Sequence, residues 1–361
     1  MKAAVCHKFG APLAIEEVEL APPASGEVKV RIKACAICHS DIHYAEGAWG
    51  GELPAVYGHE AAGVVDVVGE NVSSVKVGDP VVVTLVRSCG RCPCCEQGHT
   101  GSCETRFPLD EQSPLRSAND GTKISHGLRT GAFAEYAVIE ASQVVAIPDD
   151  VPFDRAALLA CGVITGLGAV TNTAKVPVGA SVVVIGTGGV GLNSVQGAAL
   201  SGARIIIAVD LSDDKLKAAQ AFGATHAFNP AKVNLRKEVK ALTNRRGADF
   251  VFVTVGAKDA ADQSYRLIAR GGAVVLVGMP ALGVKSEFDV LFLADNSQRI
   301  LGSKMGSSNI QSDIPKLIDL YKQGRLKLDE LITARYPLEE INQAIASVNR
   351  GEALRNIIVF P

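Results

Sequence analysis

The chain has 361 residues, of which 47% are hydrophobic and 20% charged, and a formal net charge of −2. That length is more than one hydrophobic core usually organises, so two domains are expected. The balanced charge, without a Lys/Arg block, excludes a nucleic-acid or anionic-membrane surface as the main partner.

The N-terminal MKAAVCHKFG reads as a strand with no signal-peptide core. Short alternating runs follow at 27–34, 62–68 and 80–85, broken by Gly and Pro, and they predict a β-rich domain of irregular barrel type up to about residue 150. Residues 107–129 carry charge, Pro, Gly and Ser without periodicity and read as a surface loop. The pattern changes near Asp149. A helix is expected over 154–159 with Asp154 as its cap. The apolar stretch 156–170 holds Cys161, Thr165 and three glycines, and as read it is too short for a membrane span. A cytoplasmic protein is therefore expected.

Strand Ser181–Ile185, a Gly-rich turn, a small-residue helix over 190–200 and an apolar strand over 204–209 come next. Further strands are expected at 250–255 and 273–277, separated by helices over 211–222 and 260–269. Alternating helices and Val/Ile-rich strands predict a doubly wound parallel sheet. After about Ser303 the chain reads as returning to the first domain, with an amphipathic helix over 314–323 and a last strand over 355–360. The fold class is α/β, with an irregular β-rich domain over 1–160 and 305–361 and a cofactor domain over 161–304.

Gly186-Thr187-Gly188-Gly189-Val190-Gly191 follows a strand and opens a helix. Gly186 permits the tight turn, Gly188 admits a pyrophosphate, and Gly191 lets helix and strand approach, while the helix N-terminus offers free N–H groups. Asp210 closes the next strand, where a carboxylate accepts from ribose hydroxyls and repels a 2′-phosphate, so NAD is the expected cofactor. Lys215 is placed either on the ribose or in solvent as an ordinary helix lysine.

Nine cysteines are present. Cys6 and Cys35 read as core residues. Cys89, Cys92, Cys95 and Cys103 supply four thiolates on one loop, the closed set that a structural zinc takes. Cys94 reads as a bystander. Cys38, His59 and Cys161 supply two thiolates and one imidazole, which leaves a fourth position open, as catalytic zinc requires. Asp41 is the natural partner for the other nitrogen of His59.

With Cys38-His39-Ser40-Asp41, Gly58-His59-Glu60, the four-cysteine lobe, Cys161-Gly162, the Gly186–Gly191 loop and Asp210 in this order, the whole chain resembles the zinc-containing alcohol dehydrogenases of the medium-chain dehydrogenase/reductase superfamily. The resemblance implies a GroES-like catalytic domain and a Rossmann domain. It implies catalytic zinc on Cys38, His59 and Cys161, approached by Glu60, and structural zinc on the four-cysteine lobe. Ser40 would meet the alcohol proton and His43 would end a relay to solvent. His39 and Arg355 would contact the pyrophosphate, and Thr165 and Val190 the nicotinamide. Trp49, Leu85, Phe133 and Met279 would line the substrate pocket, with ordinary core packing as the alternative for each.

The resemblance further implies a homodimer or homotetramer acting on a primary or secondary alcohol, or on the aldehyde in reverse, in a cleft that excludes water. Leu85 stands where the family often has an aromatic. Trp49 stands where the glutathione-adduct (S-hydroxymethyl) branch has an acid, which weakens that alternative. A nicotinoprotein that never releases NAD is a further possibility, and a non-catalytic NAD-binding sensor of the same fold is the rival outside the enzymes.

Overall fold

The computed structural model describes residues 1–361. It divides into two compact units. The first comprises Met1–Cys161, Asn309–Gln323 and Leu328–Pro361, and the second Gly162–Ser308 and Gly324–Lys327.

In the first unit, strands Lys2–Cys6, Ala14–Leu20, Leu115–Ser117, Lys123–His126 and Ala55–Val56 close into a small barrel. A seven-stranded sheet runs Val144–Ala146, Pro80–Thr84, Glu60–Val68, Glu27–Ala36, Arg355–Val359 and Ile332–Pro337, and Tyr136–Glu140 also pairs with Glu27–Ala36. Strand Glu27–Ala36 shows why these residues form a half-buried sheet. Val28, Val30 and Ile32 are buried, while Lys29, Arg31 and Lys33 point the other way, which is the period-two alternation of a pleated strand. The inward residues join Val65, Val81, Val83, Leu115, Ile124, Phe133, Ile139 and Ile358 in one apolar core.

The second unit is a six-stranded parallel sheet in the order His226–Phe228, Ile205–Val209, Ser181–Ile185, Ala248–Val253, Ile268–Leu276, Arg299–Gly302. Every residue of Ser181–Ile185 and Ile205–Val209 is buried, as expected for central strands covered on both faces. The chain order reverses between Ser181–Ile185 and Ala248–Val253, the place where doubly wound sheets take a nucleotide.

Four expectations change. Residues 107–129 are not a plain loop, because Leu115–Ser117 and Lys123–His126 pair with each other and complete the barrel. The helix read over 260–269 is Lys258–Ser264, and Ile268 already starts a strand. Asp154 does not cap the helix Phe153–Leu158. Pro152 holds that position, and the Asp154 carboxylate binds Arg155 and Arg335 instead. Finally, the helical stretch Phe153–Thr173 is 21 residues long and meets the length and apolarity of a membrane span. Length therefore does not exclude the span, but 83% of its apolar window is buried inside the protein, as in the core helix of a globular protein.

Candidate zinc and dinucleotide sites

Strand Glu27–Ala36 delivers the chain to Cys38, which caps the helix His39–Ala45. Asp41, in the first turn of that helix, is 2% exposed and organises the site. Its Oδ2 accepts the Cys38 N–H at 3.0 Å, and its Oδ1 accepts the Gly58 N–H and the His59 Nδ1–H, both at 2.9 Å. Occupying Nδ1 in this way fixes the ring orientation and leaves Nε2 as the nitrogen that faces the other donor groups. That nitrogen is buried and has no partner within the protein.

The donor atoms of Cys38, His59, Glu60 and Cys161 all lie within 4.8 Å of one another, and all four residues are buried. The Cys161 thiol, hydrogen-bonded to Cys38, holds the Cys38 thiol well below its usual range, and His59 helps against the opposing cost of burial. Burial works to lower His59, but Asp41 and Cys38 outweigh it and hold the ring well above its ordinary value. Burial pushes Glu60 up to about 7, opposed by Arg355. Two sulfurs, an unpartnered imidazole nitrogen and a carboxylate form a donor set that suits zinc.

Arg355, read from the sequence as a pyrophosphate contact, is 5% exposed and ion-paired with Glu60. The Ser40 hydroxyl lies 3.7 Å from Cys38 Sγ. His43 is half-buried between His39, at 6.4 Å between ring centroids, and Trp49, at 5.0 Å. Trp49 also meets Tyr44 edge-on. Leu85 is half-buried, Phe133 is fully buried in the core of the first unit, and Met279 is 55% exposed on the second.

Cys89, Cys92, Cys95 and Cys103 form a second group whose sulfurs lie within the same 4.8 Å. Cys94 stays outside it, with its thiol 3.5 Å from Glu104. All nine cysteines are free.

In the second unit Gly186 takes φ +90° between strand Ser181–Ile185 and helix Gly189–Leu200. A Cβ on Gly191 would fall 1.8 Å from the Gly186 carbonyl oxygen, so only glycine lets helix and strand come this close. A Cβ on Gly188 would meet nothing within 4 Å, which leaves open space beside the helix N-terminus. Gly189 opens that helix and Val190 is half-buried in its first turn. Asp210 follows strand Ile205–Val209. Its carboxylate accepts the Thr187 N–H at 2.7 Å, the Thr187 hydroxyl at 3.1 Å and the Ser212 N–H at 2.9 Å. Lys215 is half-buried in the next helix, its N–H bonded to the Ser212 hydroxyl. Thr165 is buried, with its hydroxyl on the Met305 sulfur. The sequence reading did not anticipate the Glu60–Arg355 pair, whose members lie 295 positions apart.

The family models for the alcohol dehydrogenase GroES-like domain and the zinc-binding dehydrogenase match residues 24–149 and 189–323. Among curated proteins, the NDMA-dependent alcohol dehydrogenase of Amycolatopsis methanolica is 38% identical, covering 99% of this chain and 98% of its own. The S-(hydroxymethyl)glutathione dehydrogenase of Paracoccus denitrificans is 36% identical over 99% of both chains. Among solved structures, benzyl alcohol dehydrogenase of Acinetobacter calcoaceticus superposes with a TM-score of 0.94 at 32% identity, covering 100% of this chain and 99% of that one. The chain belongs to the zinc-containing alcohol dehydrogenase family, with a GroES-like and a Rossmann-like domain, and it is an alcohol dehydrogenase that uses zinc and a nicotinamide cofactor.

Proposed function

We propose that Cys38, His59 and Cys161 hold the catalytic zinc of an NAD-dependent dehydrogenase that interconverts a primary or secondary alcohol with its aldehyde or ketone. The observation that carries this reading is the buried His59 Nε2, left without a partner beside two thiols and a carboxylate. When bound, zinc would supply a Lewis acid that eases deprotonation of an alcohol, and the nicotinamide would supply the hydride acceptor. Asp41 holds the His59 ring and the Cys38 amide in fixed positions. The Ser40 hydroxyl receives the alcohol proton, and His43 passes it towards solvent. Glu60, held by Arg355, is the reserve donor during ligand exchange.

Cys89, Cys92, Cys95 and Cys103 hold a second, closed zinc that ties their loop together without chemistry. Gly186, Gly188, Gly189, Val190 and Gly191 receive the pyrophosphate, Thr165 packs on the nicotinamide, and Asp210 with Lys215 holds the ribose. Asp210 favours NAD because its charge stands where a 2′-phosphate would go. The enzyme works in the cytoplasm as a homodimer or homotetramer. The edge strand Arg299–Gly302, with exposed Leu282, Val290 and Leu291 in the segment before it, supports association between copies.

Elemental analysis of the purified protein, with NADH absorbance followed on aliphatic, benzylic, terpenoid and polar alcohols, tests the proposal. Two zinc ions per chain and turnover with NAD are expected. One zinc or none, or no NADH from any alcohol, would overturn it. A formaldehyde–glutathione adduct oxidised far faster than every simple alcohol would move the enzyme to the glutathione branch.

A further inference from the structure

The segment that follows strand Lys123–His126 is held in a costly conformation. Leu128 and Arg129 are consecutive non-glycine residues with φ of 51° and 64°, a region that costs L-residues of order 1 kcal/mol each. Such a pair persists only where its surroundings over-determine it. Here the fully buried amide of Gln143 donates to the Arg129 carbonyl at 3.0 Å and to the Thr84 carbonyl at 2.9 Å. The Thr130 and Gly131 N–H groups both return to the Gly127 carbonyl at 3.1 Å. His126 donates through Nε2 to the Thr130 carbonyl at 2.7 Å.

The product of this turn is the placement of one hydroxyl. Thr130 is 0% exposed, and its Oγ1 donates to the Gly58 carbonyl at 2.6 Å. The Leu128 carbonyl, at 3.3 Å, is the weaker competitor for that proton. The Gly58 carbonyl also accepts the Ala132 N–H at 2.9 Å, while the Gly58 N–H is taken by Asp41. Both ends of the residue before His59 are thus clamped, one by the carboxylate that orients the imidazole and the other by Thr130. The residue has no slack, since a Cβ on Gly58 would lie 2.5 Å from the Phe133 nitrogen.

We propose that Thr130 is a positioning residue for His59, and that the left-handed pair Leu128–Arg129 exists to bring its hydroxyl to the Gly58 carbonyl. Thr130 touches neither donor atoms nor substrate. It acts by keeping the His59 backbone where Nε2 stays aligned with Cys38 and Cys161. The inference rests on the reading that these three residues bind zinc.

The test compares zinc-loaded wild type, Thr130→Val, which keeps the shape and removes the donor, and Thr130→Ser, which keeps the donor. Release of each zinc to a chromophoric chelator is followed with time, alongside the visible spectrum of the cobalt-substituted proteins and the thermal midpoint. Thr130→Val should release the zinc of the three-ligand site about tenfold faster or more and shift its cobalt bands, because partners behind a ligand typically change metal affinity by 10- to 100-fold. Release from the four-cysteine lobe should not change. Thr130→Ser should match wild type within about twofold, and it remains decisive if Thr130→Val is not recovered folded. Two outcomes overturn the inference: wild-type release and spectrum in Thr130→Val, or release from Thr130→Ser as fast as expected for the valine variant. Absence of a second zinc from the wild type would instead overturn the underlying site reading.

Discussion

His126 gives the protein a defined sensitivity to acid. Burial, chiefly, and Arg87 hold its ring down to about 4, against the pull of the Thr130 carbonyl and Asp110. The geometry explains the direction. Nε2–H is already used on Thr130, and Nδ1 is buried without a partner, so a second proton would sit where nothing accepts it. The folded pKa lies below the unfolded value of ~6.5. Stability from this group is therefore complete above pH ~6.5 and is lost as pH falls towards about 4, because only the unfolded chain takes up the proton. The full difference corresponds to about 3 kcal/mol, of which about 2 kcal/mol falls between pH 7 and pH 5. Urea unfolding of wild type and His126→Gln at both pH values measures it, since every other acid-sensitive group is common to the two proteins. Wild type should lose about 2 kcal/mol more than the variant on acidification. Equal losses in the two proteins would refute the argument.

Asp41→Asn preserves shape, but its amide can accept on one side only, so either the Cys38 N–H or the Gly58 and His59 donors lose their acceptor. Zinc affinity of the three-ligand site should fall by about 10- to 100-fold in chelator competition, and unchanged affinity would count against the role given to Asp41. Cys92→Ser should release one zinc and lower the thermal midpoint before it lowers turnover of the surviving folded enzyme, since a structural metal contributes folding free energy. Selective loss of activity at an unchanged midpoint would contradict this. Asp210→Gly should narrow the preference for NAD over NADP, and wild type turning over both with equal kcat/KM would remove the premise. Phe133→Ala should destabilise by about 3–5 kcal/mol in denaturant titration, as large truncations in closed cores do; full stability with altered alcohol selectivity would instead place Phe133 in the substrate pocket.

What the sequence made legible follows from the kind of signal each element carries. The buried runs SVVVI and IIIAV announce central parallel strands because both faces need apolar residues. The Gly186 turn is readable because its glycines answer steric needs measurable in the fold. The four-cysteine lobe is local in sequence, whereas Cys38, His59 and Cys161 needed the motifs around them to be grouped. Leu115–Ser117 and Lys123–His126 were missed because strands of three and four residues are too short to show alternation. Leu267–Ala269 extended a helical pattern only because a buried apolar run suits helix and strand alike. Thr130 has no motif. Its only signal is a loop between Gly127 and Gly131, and its importance lies in a contact 72 positions away.

The discontinuity of the first unit has a consequence for biosynthesis. Strand Arg355–Val359 inserts between Glu27–Ala36 and Ile332–Pro337, pairing Ala34, Cys35 and Ala36 with Val359, Ile358 and Ile357. During synthesis those three residues present an open edge, and Glu60 lacks its cation, until residues 355–359 have left the ribosome. The continuous stretch Gly162–Ser308 is complete much earlier and can condense while the metal-holding unit still waits for strand Arg355–Val359. Nascent chains should therefore gain nucleotide affinity before they gain the histidine-containing metal site. A release-arrested chain ending before Arg355 that already held zinc on Cys38, His59 and Cys161 would show that the closing strand is dispensable.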